Sequence, residues 1–366
     1  MKSVLISGAS IAGLTMAYWM KKYGYNVTVV EIGTALRLGG SPIDVRGEAL
    51  DVANRMGILE QIKAAKLPTM GVEFLNGEGV LQGTSRVEDI GALRPGEDTE
   101  IRREDLAKIL YNNAQEGIEY RFNNSIVGLV QNDEYVKATF KDGTIQHFDF
   151  VFGCDGIHSI VRKLAFGPEE QFTHFLNFYF SIFPVDGSLG KKHYGQMYTT
   201  PNHIALVYYY NDNIADGFLT FRAKETIDFD YRDAEANKQL IVENFKGVGW
   251  KAPQLIDAML KSEAFYFDQG CQIKMPSWTN GRIAVIGDAG YAPAFPTGMG
   301  STLAMCGATA LADAMNENDE YLLAFKKYNE SFRPTVKALQ ATVYDGLAFL
   351  MPDTQEAIDA RNRGMQ

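Results

Sequence analysis

Cysteine is scarce in this chain, with three among 366 residues, at positions 154, 271 and 306. Widely separated thiols in odd number exclude a disulfide framework and fit a reducing compartment, so a cytoplasmic setting is expected. The five histidines, at 147, 158, 174, 193 and 203, show neither H-x-H nor H-E-x-x-H spacing. Metal chemistry therefore has no ligand pattern to rest on. Long basic runs are also missing. Lys and Arg total 35 against 45 Asp and Glu, and 35 − 45 = −10. The basic doublets Lys21-Lys22, Arg102-Arg103, Lys191-Lys192 and Lys326-Lys327 do not make the cationic face that displaces phosphate counterions, so nucleic acid is excluded as a partner. Repeats, low-complexity stretches and long linkers are absent too. At 46% hydrophobic and 22% charged residues the composition is that of a folded globular chain, and its length suits two domains or one composite one.

A membrane span has one candidate, the 18 uncharged residues from Ser3 to Met20 behind Lys2. Gly8, Ser10 and Gly13 interrupt that run at turn spacing, no A-x-A site follows, and the next apolar stretch reads as a strand. The run is expected to fold as strand, turn and helix, without membrane insertion.

What is present is a β-α-β unit at the N-terminus. Val4-Leu5-Ile6 is a short apolar strand, Ile11 to Tyr23 has helical periodicity stopped by Gly24, and Val27 to Val30 is β-branched. Glu48 to Met56 and Arg103 to Gln115 read as helices. Short strands follow between Ser125 and Cys154, with Lys141 to Thr144 as a hairpin turn. From Phe172 to Arg222 the chain turns β-rich and aromatic and predicts a separate antiparallel sheet. Asp233 to Phe245 returns to helix, and Arg282 to Ile286 is a buried strand. Helices are expected over 301 to 316, 319 to 331 and 334 to about 350, the last opening at Pro334. The tail from Pro352 to Gln366 is polar and reads as frayed.

The first β-α turn carries the chemistry. Gly8-Ala9-Ser10-Ile11-Ala12-Gly13 is a G-x-G-x-x-G loop with Ser10 in place of the second glycine. Gly8 permits the tight turn, small Ser10 lets backbone approach a pyrophosphate, and Gly13 allows close helix packing, while the helix N-terminus offers amides to phosphate. Glu31, with Ile32 beside it, stands 31 − 13 = 18 residues past the last glycine, near the ~20 expected of a carboxylate that accepts ribose hydroxyls and repels a 2′-phosphate. The loop should take FAD or NAD and disfavour NADP. A hydrolase elbow is the rival reading, but an elbow serine follows several strands of its sheet and Ala12 replaces the closing glycine.

Two later segments place Asp beside Gly at a strand end: Gly153-Cys154-Asp155-Gly156-Ile157-His158-Ser159 with Arg162, and Arg282 to Ala289 around Gly287-Asp288, followed by Pro293 and Gly298-Met299-Gly300. With these three motifs in order the chain resembles the class A flavoprotein monooxygenases of the para-hydroxybenzoate hydroxylase fold. Gly39 to Gly47, Glu100 to Leu106 and Ile273 to Arg282 resemble the tetracycline destructase branch of that family. The resemblance implies an α/β fold in which a Rossmann-like FAD-binding domain (1–70, 100–171 and 270–332) is interleaved with an antiparallel-sheet substrate domain (71–99 and 172–269), ahead of a C-terminal helix and tail (333–366). It implies that Arg103 holds the flavin or its phosphates, that Arg46 sits near the isoalloxazine or incoming nicotinamide, and that Asp288 bonds the ribityl chain. Asp155 belongs to the same cofactor set. Amides of Gly298, Met299 and Gly300 would stabilise negative charge on the flavin pyrimidine ring.

The implied reaction uses tightly bound FAD with NADPH or NADH as transient reductant and O2. Oxygen passes by way of a flavin C4a-hydroperoxide to a small hydrophobic, aromatic or polycyclic substrate, tetracyclines among the candidates, with no catalytic side chain of its own. A monomer is expected. Phe295, Met299 and Thr302 depart from the family pattern, which usually gives Pro, Gln and Asn. Two alternatives stay open: a flavin dehydrogenase or reductase on the same fold, and a non-enzymatic FAD-binding homologue.

Overall fold

The computed structural model describes every residue except 38, 40, 87–92, 212 and 366, so Gly40 of the Gly39 to Gly47 segment lies outside the described residues. The chain divides into two units, each assembled from three stretches: Met1–Lys66, Ile101–His174 and Cys271–Thr342 in the first, Leu67–Glu100, Phe175–Gly270 and Val343–Gln366 in the second.

The first unit is built on a parallel sheet. Strand β1 (Ser3–Ser7) lies at its centre, between β2 (Asn26–Val30) and the strand Phe150–Gly153. Glu119–Arg121 extends the sheet beyond β2, and Ile283–Val285 with the short antiparallel Thr279–Asn280 extends the other side. Chain order among the parallel strands therefore runs outward both ways from β1, which makes the gap between β1 and Phe150–Gly153 the switch point where α/β sheets hold ligands. Registers put Ser7 opposite both Val30 and Gly153, and Gly153 opposite Val285. The strand ends are tied in line by Gly8 N donating to Val30 O, Cys154 N to Ser7 O and Ile286 N to Gly153 O, each at 2.8 Å.

Helix α1 (Ile11–Lys22) crosses between β1 and β2 and is buried on almost every side, from Ile11 to Ala17 and at Trp19 and Met20. It packs on the sheet, on the helix Gly300–Glu317 and on the helix Arg103–Ala114. This accounts for the uncharged run near the N-terminus: a core helix between layers has no polar face. Among the described residues no helix is long and apolar enough to cross a membrane.

The second unit carries a seven-stranded sheet whose order runs from Tyr266–Ile273 through Thr173–Val185, Ile214–Arg222, His203–Asn211, Tyr194–Thr199 and Gly71–Leu75 to Leu81–Arg86. The strands between Thr173 and Arg222 pair antiparallel as expected, and one strand from outside that stretch joins them the other way. Tyr194–Thr199 and Gly71–Leu75 run parallel, because the chain reaches Gly71 from elsewhere instead of through a hairpin. One face, with Phe183, Ala205, Val207 and Leu219, packs with helix residues Ile241, Leu255 and Met259 into a core. On the other face Ile182, Phe218, Leu206, Met197 and Phe74 stand in register across five strands, the first three only half-buried.

The C-terminal third corrects two expectations. No helix opens at Pro334, which lies inside the single helix Tyr321–Ala341. The proline sits on the exposed side, so the carbonyl it leaves without a donor faces water, while buried Phe325, Tyr328, Phe332 and Val336 hold both halves to the core. The tail is not frayed either: Gln355–Arg363 is helical, capped by the Thr354 hydroxyl accepting from Ala357 N at 3.2 Å. Ile358, which is buried, and half-buried Arg361, whose guanidinium lies 4.3 Å over the Phe74 ring, anchor it.

The tightest point of the first unit is testable. A Cβ at Gly13 would overlap the Gly8 carbonyl oxygen, and one at Gly8 would stand 2.5 Å from Cys154 O, so backbone would have to move in either case. Gly13→Ala should lower stability by about 2 kcal/mol or more, as overpacking against backbone does. Urea unfolding checks this, and an unchanged midpoint would show that α1 shifts freely against the loop.

Candidate cofactor site

Because the strands are parallel and in register, their three following loops emerge side by side. The Gly8 loop after β1, the Asp155 loop after Phe150–Gly153 and the Gly287-Asp288 turn after Ile283–Val285 meet Glu31, which follows β2, along one sheet edge. Sequence positions spread over 280 residues become one site.

Glu31 braces this edge. Its carboxylate accepts from Ala9 N at 2.7 Å and Gly33 N at 2.8 Å, one bond to each oxygen. Each oxygen keeps a further lone pair for a ribose hydroxyl. Ile32, beside it, is 68% exposed and contributes an apolar surface at the same edge.

Ser10 does not cap α1 with its side chain. Its hydroxyl instead accepts from Arg103 Nη2 at 2.6 Å, which brings a guanidinium from a second helix start to the mouth of α1. The amides of Ile11, Ala12 and Gly13 thus open a helix without a side-chain acceptor, beside a positive charge. That donor set is complementary to a pyrophosphate.

Asp288 begins the short helix Asp288–Tyr291, after Gly287 at φ 65°. Its surface is open to solvent, yet desolvation raises its carboxyl above the ordinary aspartate range, opposed by the charge of Arg103. Asp155, also raised by burial, is used differently. It accepts from Ser159 Oγ at 2.5 Å, Ile160 N at 3.0 Å, Val161 N at 3.2 Å and Ser7 Oγ at 3.2 Å. Asp155 caps the helix Ile160–Ala165 and joins it to the end of β1.

Arg46 is nearly buried and pairs with Asp44 at 2.9 Å. The first turn of the helix Gly300–Glu317 fastens this segment, with Ser301 Oγ donating to Asp44 O at 2.5 Å and Thr302 Oγ1 accepting from Arg46 N at 3.3 Å. Gly298, left-handed at φ 64°, sits against Asp44 and Arg46, while Met299 is buried and Gly300 has open space around it. The departure at Thr302 therefore ties the Arg46 backbone to the helix start.

Arg162 is visible in the sequence only as a motif letter, and the structure gives it a larger part. It is fully buried, with Nη1 donating to Ala289 O at 2.9 Å and Nη2 to Ile157 O at 2.5 Å, so one guanidinium joins two of the loops. No local pattern could reveal a partner 127 residues away. The three cysteines are buried, and burial pushes the Cys154 thiol well up and Cys306 up to about 12, which leaves neither a ready nucleophile.

A Rossmann-like parallel sheet with a glycine loop at a helix start, a carboxylate after its second strand and an aspartate after its last parallel strand is the arrangement of dinucleotide-binding oxidoreductases. Comparison with known proteins narrows the class. Residues 1–210 match the FAD binding domain family. A flavin-dependent monooxygenase from an unknown prokaryotic organism is 36% identical over 98% of this chain and 93% of its own length. One from Legionella longbeachae is 34% identical over 96% and 90%. The crystal structure of tetracycline destructase Tet(55) superposes with a TM-score of 0.87 at 33% identity, covering 100% of this chain and 95% of that one. The chain belongs to the class A FAD-dependent monooxygenases, and FAD is its cofactor.

Asp288→Ala should weaken FAD retention by about 1.5–3 kcal/mol, the worth of a hydrogen bond to a charged group. FAD titration of the apoprotein measures it, and unchanged affinity would leave Asp288 a purely structural role.

Proposed function

We propose that this monooxygenase hydroxylates a planar aromatic or polycyclic small molecule with electrons from NADPH or NADH, and that tetracycline-type compounds are candidate substrates. The observation that carries the cofactor half is the convergence of the Gly8, Asp155 and Asp288 loops on one sheet edge beside Arg103. When bound, FAD supplies electron transfer from the nicotinamide and activation of O2.

The chain's own residues bind and orient. The amides of Ile11, Ala12 and Gly13 with Arg103 hold the pyrophosphate, Glu31 accepts from the ribose, and Asp288 accepts from the ribityl hydroxyls. Asp155 braces these loops from behind. Arg46, fixed by Asp44 and Thr302, offers a guanidinium near the ring or an arriving nicotinamide, and the amides of Gly298 to Gly300 face developing negative charge on the pyrimidine ring. No side chain is assigned a proton transfer to substrate.

The substrate half draws on two supports. The in-register apolar row of Ile182, Phe218 and Leu206 gives the second sheet a half-buried face suited to a flat hydrophobic molecule. Proteins named tetracycline destructases share the fold at 30% identity or above.

The decisive experiment is a screen of aromatic and polycyclic compounds, tetracyclines included, for stimulated NAD(P)H oxidation in the presence of 18O-labelled O2. The expected result is a product heavier by one labelled oxygen. Faster NAD(P)H oxidation that yields only hydrogen peroxide would make a compound an effector. Substrate reduction or oxidation without label would point to a flavin dehydrogenase, and bound FAD with no response to any compound would point to a non-enzymatic homologue.

A further inference from the structure

Resting on the reading of this sheet edge as the FAD site, we propose that Glu169 is a positioning residue that acts through Arg162 to fix Asp288. Glu169 lies outside all three motifs, in a single turn of 3-10 helix, Glu169–Gln171. Its Oε2 is 2.9 Å from Arg162 Nη2 and its Oε1 is 2.9 Å from His158 Nδ1. Backbone holds the turn in place: Phe172 N donates to Glu169 O at 2.9 Å, and Thr173 Oγ1 donates to the same oxygen at 3.0 Å.

The Arg162 guanidinium, which links the two, is 0% exposed. Burial lowers its pKa, and the charge of Glu169 is the foremost opposing influence, with Asp155 next. Two of its acceptors are neutral carbonyls, Ala289 O and Ile157 O, and Glu169 is the carboxylate bonded to it. Its Nε is buried without a hydrogen-bond partner among the described residues, so the two terminal nitrogens alone locate the group. A buried cation whose countercharge is removed must neutralise, move toward water or distort what it touches. What it touches is the carbonyl of Ala289, the residue next to Asp288, in a helix of only four residues. Glu169 can supply that countercharge. Burial pushes its carboxyl up, but His158 and Arg162 outweigh burial and hold it below the usual range, so it stays charged at neutral pH.

Loss of the Glu169 charge would thus release the Ala289 carbonyl and reorient the Asp288 carboxyl. The test uses full-length apoprotein titrated with FAD. Glu169→Gln, which keeps shape and removes charge, should raise the FAD Kd about ten-fold and move the visible flavin bands toward those of free FAD, the scale of one lost support behind a binding group. Glu170→Gln, an exposed neighbour, should do neither. In an Arg162→Met background the same Glu169→Gln change should add less than about two-fold, since its route is already cut. Arg162→Gln, which removes the charge while keeping a polar end for the neighbouring carbonyls, replaces Arg162→Met if the latter does not fold. The proposal fails if Glu169→Gln leaves Kd and spectrum as in the parent, or if its effect adds in full to that of the Arg162 variant. Parent protein that binds no FAD would overturn the site reading itself, an outcome distinct from failure of the Glu169 link.

Discussion

The site depends on how closely α1 starts behind the end of β1. With no side chain at Gly8 or Gly13, the helix presses onto the Gly8 carbonyl while the same turn lies against Cys154 O. That approach aims the amides of Ile11 to Gly13 at the switch point. It also forces the following helix into the core, where Trp19 Nε1 finds Thr309 Oγ1 at 2.9 Å. A side chain at either glycine would separate layers that everything later in the chain uses as a template. The parallel register does the rest, since strands ending level deliver their loops to one place.

Charge along this edge is arranged in opposition. Arg103 reaches the N-terminus of α1, where a helix already carries partial positive charge, and Asp288 lies within its field. Gathering two positive contributions beside one carboxyl makes the edge complementary to an anion. Arg103 is itself held from its flank: the neighbouring Glu104 pairs with Arg102 at 2.8 Å and accepts from Gly39 N at 2.9 Å. Thus the loop leading to Arg46 and the helix carrying Arg103 are fastened together before any ligand is bound.

The parts of this arrangement legible in the sequence are those with local causes. Gly8, Gly13 and Glu31 follow from backbone sterics and strand length, and the paired Gly-Asp dipeptides mark strand ends wherever they occur. The sheet order follows from the β-α-β start and the motif order. What stays hidden is long-range. The bond from Arg103 to Ser10 spans 93 residues and that from Arg162 to Ala289 spans 127. The parallel pair in the second sheet is invisible because strand signals carry no direction. Pro334 misleads for a physical reason: the cost of about 3 kcal/mol for an interior proline is a local rule, and a buried aromatic face can offset it. The tail helix rests on Ile358 and on Arg361 stacked over Phe74, too few apolar positions to show a period.

The same distinction explains why cofactor and substrate are not equally readable. A dinucleotide asks for backbone amides at a helix start and a few charges, requirements that recur as glycines and acidic residues at fixed places. An apolar surface asks only for apolar area in register, as in the row of Ile182, Phe218 and Leu206, without any one side chain being irreplaceable. Many different side chains can make such a surface, so the substrate leaves little trace in a single sequence. The departures at Met299 and Thr302 belong to this logic as well. Thr302 holds the Arg46 backbone and Met299 is buried beside the helix start, so side chains at these positions serve the frame, while backbone at Gly298 and Gly300 remains able to serve the ring.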